Sequence, residues 1–279
     1  MNSEYIHDYY DYCHKDFKRI WHLDRCMAMH MGFWDSKTRR LRDALIKENE
    51  VLAKQAGVTF KDRVLDAGCG VGGSSIFLAA YYGCNVTGIT ISAQQVRHAR
   101  EYAKSHNVNK LTTFFVADYT NVPYGESSFD VIWAIESVCH ATNKKDFLRE
   151  AYRLLRKGGR IIIADGFQSK YPLTGEEEAL LKKSFRGWGV SSLEIDTVFY
   201  DGLNRLKFRH IIEQDVTSLI YKSSRRLYLC SFPAYIVDIV ERHFKRRGSI
   251  EQGNVISARN QFFSLKKGLW KYKIFYAEK

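Results

Sequence analysis

The chain has 279 residues, enough for one well-filled α/β core with an elaboration and too few for two full domains with separate cores. Its 45% hydrophobic and 27% charged residues are the composition of an ordinary globular protein and exclude wholesale disorder. The formal net charge of +12 leaves three readings open: a solvated surface, an anionic substrate or anionic lipid surface, or nucleic acid.

The opening stretch MNSEYIHDYYDYC is polar, acidic and aromatic, without the basic start and apolar run of a secretory signal, so a soluble, cytoplasmic protein is expected. Residues 1–50 are rich in Tyr, His and Trp and are expected to form a helical cover, with a helix from Arg40 to Ala56. From Val51 onward short apolar runs alternate with amphipathic stretches of helical length, the pattern of a parallel sheet covered by helices. Strands are predicted near 62–66, 85–89, 112–117, 129–135 and 159–165, and helices over 73–82, 92–106 and 144–155. Val96, Ala99, Tyr102 and Ala103 show the three-to-four spacing of a helix face. This core is expected to run over 51–170.

Residues 171–205 break the pattern, with Pro172, Gly175, Gly187 and Gly189 around a short helix from Glu176 to Phe185, and are predicted to form an inserted lid. Residues 206–279 return to the core with a strand over Leu206–Tyr221, a long helix over Ser224–Arg247 and a final strand over Leu269–Ala277. Apolar runs such as Arg160–Ala164 and Tyr235–Val240 are far short of the roughly 20 residues that cross a membrane. Cys13, Cys26, Cys69, Cys84, Cys139 and Cys230 form no CxxC pair, so neither a zinc site nor a disulfide framework is expected.

Val64-Leu65-Asp66-Ala67-Gly68-Cys69-Gly70-Val71-Gly72-Gly73 ends a buried strand and opens a helix, where glycines let the backbone approach a ligand. Gly68, Gly70 and Gly73 alone also satisfy the dinucleotide fingerprint. A dinucleotide site places a carboxylate about 20 residues later, at the end of the second strand. Here that strand ends in Gly88-Ile89-Thr90-Ile91-Ser92, which weighs against a nicotinamide or flavin. Singly, the glycines have a bland account as a structural turn, Asp118 as a helix cap and Gly158-Gly159 as a break. Yet Asp66, Ala117-Asp118, Phe129-Asp130 and Leu155-Arg156-Lys157-Gly158-Gly159 follow one another in step with the alternating elements.

That ordered set resembles the class I S-adenosylmethionine-dependent methyltransferases. The resemblance implies an α/β, Rossmann-like fold: a mostly parallel seven-stranded sheet with helices on both faces, an N-terminal helical cover and an inserted lid. At finer grain, Thr90-Ile91-Ser92-Ala93-Gln94-Gln95 resembles the ITLSxxQ element of the branch holding sterol side-chain and tocopherol methyltransferases and bacterial small-molecule relatives. It implies that S-adenosyl-L-methionine, leaving as S-adenosyl-L-homocysteine, is held by Asp66, Gly68, Gly70 and Gly72, with Thr90, Ile91 and Gln95 along the ribose and adenosine. Ala117 and Asp118 would lie at the adenine. His30-Met31-Gly32-Phe33-Trp34-Asp35 resembles the HxGYW element that covers the cofactor, which adds Trp34. Trp133-Ala134-Ile135-Glu136-Ser137-Val138-Cys139-His140-Ala141 is closest to the sterol enzymes' AIEATCHA, and Asp215-Val216-Thr217 with Ser224-Arg225-Arg226 resembles their late strand and following helix. The resemblance covers residues 28–279 and loosens after Gly166. Lys157 stands where relatives carry proline, and the insertion Pro172–Arg205 matches no one subfamily.

Methyl transfer from a sulfonium is an in-line displacement that needs alignment and no metal. An alkene acceptor passes through a cation, which aromatic faces stabilise and a base quenches. Tyr5, Tyr9, Tyr10, Tyr12, Trp21, Phe33 and Trp34 crowd the leading segment as an expected hydrophobic substrate wall, the bland account being a docking helix. Glu136 and His140 follow the fourth strand at the sheet edge where α/β proteins bind ligands. Glu136, expected to stay ionised beside a sulfonium, and His140 are the first catalytic candidates, followed by His30 and Tyr10. The leading expectation is carbon methylation of an isoprenoid or sterol-like alkene. The alternative is nitrogen or oxygen methylation of a polar or aromatic small metabolite with His140 as base, and a non-catalytic cofactor-binding module is a third.

Nucleic acid is disfavoured as a partner because no Asn/Asp-Pro-Pro-aromatic or Pro-Cys motif is present. Arg225, Arg226 and Arg242–Arg247 are set aside for a diphosphate or an anionic head group. Peripheral contact with a membrane and a homo-oligomer stay open.

Overall fold

The computed structural model describes residues 3–279, so the first two residues of the predicted cover lie outside it. The described chain runs α1 (Ser3–Tyr12), α2 (His14–Ile20), α3 (Leu23–Cys26), α4 (Leu41–Gln55), β1 (Arg63–Ala67), α5 (Gly73–Tyr82), β2 (Asn85–Thr90), α6 (Ala93–Ser105), β3 (Thr112–Val116) and β4 (Phe129–Ile135). It continues with α7 (Lys144–Leu154), β5 (Leu155–Gln168), α8 (Gly175–Phe185), α9 (Asp196–Arg205), β6 (Arg209–Asp215), α10 (Thr217–His243), α11 (Ser249–Lys266) and β7 (Trp270–Glu278). The strands form one seven-stranded sheet in the order β3-β2-β1-β4-β5-β7-β6. Pairings among β1 to β5 are parallel, and β7 inserts antiparallel between β5 and β6.

Both faces of the sheet are covered, so neighbouring residues of a strand enter different cores. Val64, Val131, Trp133 and Ile162 pack with the apolar sides of α4, α5 and α6. Leu65, Ile132, Ile161 and Ile163 pack with Phe147, Leu148 and Phe199 from α7 and α9. Helix starts are set locally: Ser92 Oγ accepts the Gln95 N–H at 3.2 Å, and Asn143 Oδ1 accepts that of Lys145 at 3.1 Å. Thr174 and Glu177 cap α8 reciprocally.

The core strands and helices fall where the apolar periodicity puts them, except that β5 runs over Leu155–Gln168 and not only 159–165, and the larger departures lie after Gly166. The strand predicted over Leu206–Tyr221 is only Arg209–Asp215, because Asp215 Oδ1 accepts both the N–H and the hydroxyl of Thr217 and turns the chain into α10. The helix predicted over Ser224–Arg247 therefore starts earlier and ends at His243. Helix α11 has no counterpart in the prediction: its buried face includes Ser257, Gln261 and Ser264, so burial and apolarity do not coincide there. The predicted lid divides in two. Phe185, Trp188, Val190 and Leu193 line a cavity, while α9 packs Phe199 and Leu203 into the opposite core.

Candidate active site

Two cavities meet at the carboxyl edge of the parallel strands, where the crossover geometry leaves a crevice. The smaller, about 240 Å³, lies over the turn after β1 and the ends of β2 to β4. Gly68 has φ +92°, and a Cβ there would stand 2.4 Å from Ser137 Cβ, so the turn needs a glycine twice over. At Gly73 a Cβ would lie 2.1 Å from the Met27 carbonyl oxygen, and its absence lets the leading segment lie on the loop. Asp66 is buried at the mouth of β1 and accepts the Ser75 hydroxyl at 2.6 Å; burial pushes its carboxyl up to about 6. Thr90 Oγ1 donates to Gln95 Oε1 at 2.6 Å, holding the Gln95 amide at the end of β2. Asp118 accepts the N–H and hydroxyl of Thr120 at 2.8 and 2.7 Å.

Asp66, Gly68, Gly70, Thr90, Ile91, Gln95, Ala117 and Asp118 all line this cavity. Two expected cofactor residues do not. A Cβ on Gly72 would meet Ala99 and Phe114, so its smallness serves packing of the loop on α6 and β3. Trp34 lies against α10, where its indole N–H donates to Ser223 Oγ at 2.7 Å and the Lys222 ammonium stands 4.1 Å from its ring centre. His30, named as a catalytic candidate, lines the cofactor cavity and not the larger one. Its Nδ1 faces Glu48 Oε2 at 2.6 Å, while its Nε2 is buried without a partner.

The larger cavity, about 330 Å³, is walled by Tyr9, Phe17, Trp21, Trp188, Leu227 and Trp270 among others. Of the aromatic wall expected from the leading segment, Tyr9, Tyr10 and Trp21 line it; Tyr12 is exposed and Phe33 packs edge-on to Tyr272. Tyr10, Met29, Glu136 and His140 line both cavities and mark their junction. His140 Nε2 is 3.0 Å from the Tyr10 hydroxyl and its Nδ1 is 3.4 Å from the Gly189 carbonyl. A carbonyl can only accept, so Nδ1 is assigned the proton and Nε2 accepts from Tyr10. Burial lowers the imidazole to about 4, so the ring is neutral at neutral pH, and burial also raises the Tyr10 phenol.

Glu136 is held at φ +46°, a conformation costly for a side-chain-bearing residue. Its Oε1 accepts the Met31 N–H at 2.6 Å and the Tyr272 hydroxyl at 2.9 Å, and the same hydroxyl reaches Glu48 Oε1 at 2.8 Å. Burial first, then the neighbouring Glu48 and Asp165, push the Glu136 carboxyl well above the usual carboxylate range. Three carboxyls thus share one desolvated corner, which disfavours the charged form of Glu136 in the protein alone; the ionised form expected from the sequence is one with a sulfonium beside it.

Sequence reasoning passed over Glu48, Tyr272 and Asp165. Glu48 left a signal, since it falls on the inward face of α4 with Ala44, Leu45 and Leu52. Tyr272 left none, because an aromatic in an alternating strand is ordinary core. Asp165 accepts the Cys139 and Gly166 N–H groups at 2.9 and 2.7 Å and is pushed up to about 6 by burial. Of the basic groups set aside for a diphosphate, Arg247 lines the larger cavity but pairs with Asp16 at 2.6 Å and Asp238 at 3.2 Å. Arg226 donates to the Ile20 carbonyl. Among the described residues no cluster has the donors for a metal ion, and no helix is long and apolar enough to cross a membrane.

A sheet of this order with one antiparallel strand, a glycine turn after β1 and no acid after β2 defines the class I methyltransferase fold. Residues 65–163 match the family model described as methyltransferase domain. Through this domain the chain is related to the class I S-adenosylmethionine-dependent methyltransferases, among them sterol and tocopherol enzymes and bacterial natural-product enzymes. It is 38% identical over 137 residues to 27-O-demethylrifamycin SV methyltransferase of Amycolatopsis mediterranei, covering 49% of this chain and 50% of that protein. It is 35% identical over 164 residues to the chloroplastic tocopherol O-methyltransferase of Arabidopsis thaliana, covering 54% and 47%. The chain spans about half the length of the curated relatives it matches. The cyclopropane synthase MmaA2 from Mycobacterium tuberculosis superposes with a TM-score of 0.82 at 17% identity, over 99% of this chain and 98% of that one, which shows the shared fold.

The smaller cavity fits the family's cofactor, S-adenosylmethionine. Its floor is a turn in which Gly68 and Gly70 take positive φ, it has no carboxylate from β2, and it carries an orphaned buried nitrogen on His30.

Proposed function

We propose that this protein methylates an oxygen or nitrogen of a small, largely apolar metabolite, using S-adenosylmethionine. The observation that carries this reading is the neutral His140 at the junction of the two cavities, with Nε2 facing the Tyr10 hydroxyl at 3.0 Å. Names among the relatives agree, two of them at 36% and 35% identity being O-methyltransferases.

In this reading Asp66, Gly68 and Gly70 receive the amino-acid end of the cofactor, Thr90, Ile91 and Gln95 the ribose side, and Ala117 and Asp118 the adenine. The bound cofactor supplies an electrophilic methyl group on a positively charged sulfur. The protein's own residues do the rest. Tyr9, Phe17, Trp21 and Trp270 hold the apolar body of the acceptor and exclude water. The acceptor's O–H or N–H gives up its proton to His140 Nε2, directly or by way of the Tyr10 hydroxyl, whose own proton moves on to Nε2. A neutral imidazole in a dry cavity accepts that proton without first losing one.

A positioned general base contributes about 10²–10⁴-fold. His140→Gln is expected to lower kcat by that order while S-adenosylhomocysteine binding, followed by calorimetry, stays within a few-fold. Full turnover in the variant would end His140's role as base. Carbon methylation is the second reading, favoured by the aromatic wall and by Glu136 at the junction. Incubation with labelled S-adenosylmethionine and host extract, followed by position-specific mass analysis, separates a methyl on a heteroatom from one on carbon.

A further inference from the structure

Helix α10 is built inside out over its second half. Its buried positions there are Ser231 and Asp238. Leu229, Phe232, Ile236, Ile239 and Val240 recur at helical spacing on the outward face and are each 42–65% exposed. An amphipathic helix on a protein surface normally has the reverse polarity, so this contiguous apolar strip calls for something to cover it.

Charge around the strip says what that is. Arg225, Arg242, His243, Lys245, Arg246 and Arg259 are exposed around it, and the Arg259 guanidinium lies 5.1 Å from the Phe232 ring centre. The acidic residues of this helix are matched by arginines: Asp238, 1% exposed, stands 3.2 Å from Arg247 and 3.9 Å from Arg242, and Glu241 stands 4.0 Å from Arg247. An apolar strip edged by exposed cations, with the helix's own carboxylates paired to arginines, complements an anionic lipid surface. The strip is also continuous with the acceptor cavity, since Pro233, Ala234 and Val237 on the adjoining face of α10 line it.

We infer that the second half of α10 is a peripheral membrane-docking surface for anionic bilayers, set beside the cavity mouth so that an apolar acceptor passes from lipid to protein. The delivery role rests on the proposed function above, whereas docking itself does not, and flotation reads docking without turnover.

The full chain is floated with phosphatidylcholine vesicles and with vesicles of phosphatidylcholine mixed with phosphatidylglycerol. The protein is expected to float with the mixed vesicles, weakly or not at all with phosphatidylcholine alone, and less as salt is raised. Arg242→Ser with Arg246→Ser should reduce partitioning roughly thirtyfold, the effect of two basic groups near an anionic surface. Ile236→Glu with Ile239→Glu should abolish it while leaving the thermal melt and cofactor binding intact, because both side chains face outward. The inference is overturned if the parent stays unbound to the mixed vesicles or if the double glutamate variant floats as well as the parent. It is equally overturned if sedimentation velocity shows a dimer that this variant dissolves and vesicles do not compete with, since the strip then covers a second copy.

Discussion

His140 titrates differently in the folded and unfolded chain, and stability carries the trace. An exposed imidazole takes up its proton near pH 6.5, whereas the folded one does so near pH 4. Between those values the unfolded state binds more protons, so the stability contributed by His140 is complete above about pH 6.5 and is lost as pH falls toward 4. Relative to His140→Gln, the parent should lose on the order of 1–2 kcal/mol across that window, the figure discounted because the ring lines a cavity. Urea unfolding of both proteins as a function of pH reads it, and a constant difference would mean that the imidazole is not held neutral. Gly68→Ala tests the turn: with φ +92° and a Cβ 2.4 Å from Ser137, a methyl must displace backbone. A loss of about 1–3 kcal/mol in stability is expected, together with failure to bind S-adenosylhomocysteine by calorimetry.

At the scale of elements, α10 and α11 form a platform over the larger cavity, and α2 joins it through one ionic knot. Arg247, just past α10, pairs with Asp16 of α2 and with Asp238, which is 1% exposed. Replacing the cation leaves two desolvated carboxylates facing each other, a much larger cost than losing a surface pair. Arg247→Met should therefore destabilise by about 3–5 kcal/mol, measured by chemical unfolding. Restoration by Arg247→Met combined with Asp238→Leu would show that the uncompensated charge, and not lost packing, is responsible. The sequence placed α5, α6 and α7 to within about a residue because their apolar faces coincide with their buried faces. In α10 and α11 the buried faces are partly serine and glutamine, so periodicity misplaced one helix and missed the other.

For the whole molecule, the cofactor cavity is assembled from β1, β2, β4 and the leading segment, so a ligand seated there ties distant parts of the chain together. At a ligand concentration of 100 times Kd the linkage is about 2.7 kcal/mol. For a chain of this size that corresponds to a rise in Tm of about 5–10 °C. S-adenosylmethionine and S-adenosylhomocysteine should each produce it in a thermal melt, and NAD should not; a shift with NAD instead would reverse the choice of nucleotide made from the end of β2.

Order along the chain was enough for the sheet core and the glycine turn, because strand alternation, a positive-φ turn and a missing carboxylate are local properties of contiguous residues. It was enough also to single out Glu136, His140 and Tyr10, which line the junction of the two cavities. That Tyr10 meets His140 across 130 positions, that Glu48 and Glu136 meet at the Tyr272 hydroxyl, and that Trp34 and Gly72 serve packing were decided only when the chain closed on itself. A side chain's partner, burial and charge state are set by what other segments bring to it, and those distances are not written in the spacing of any motif.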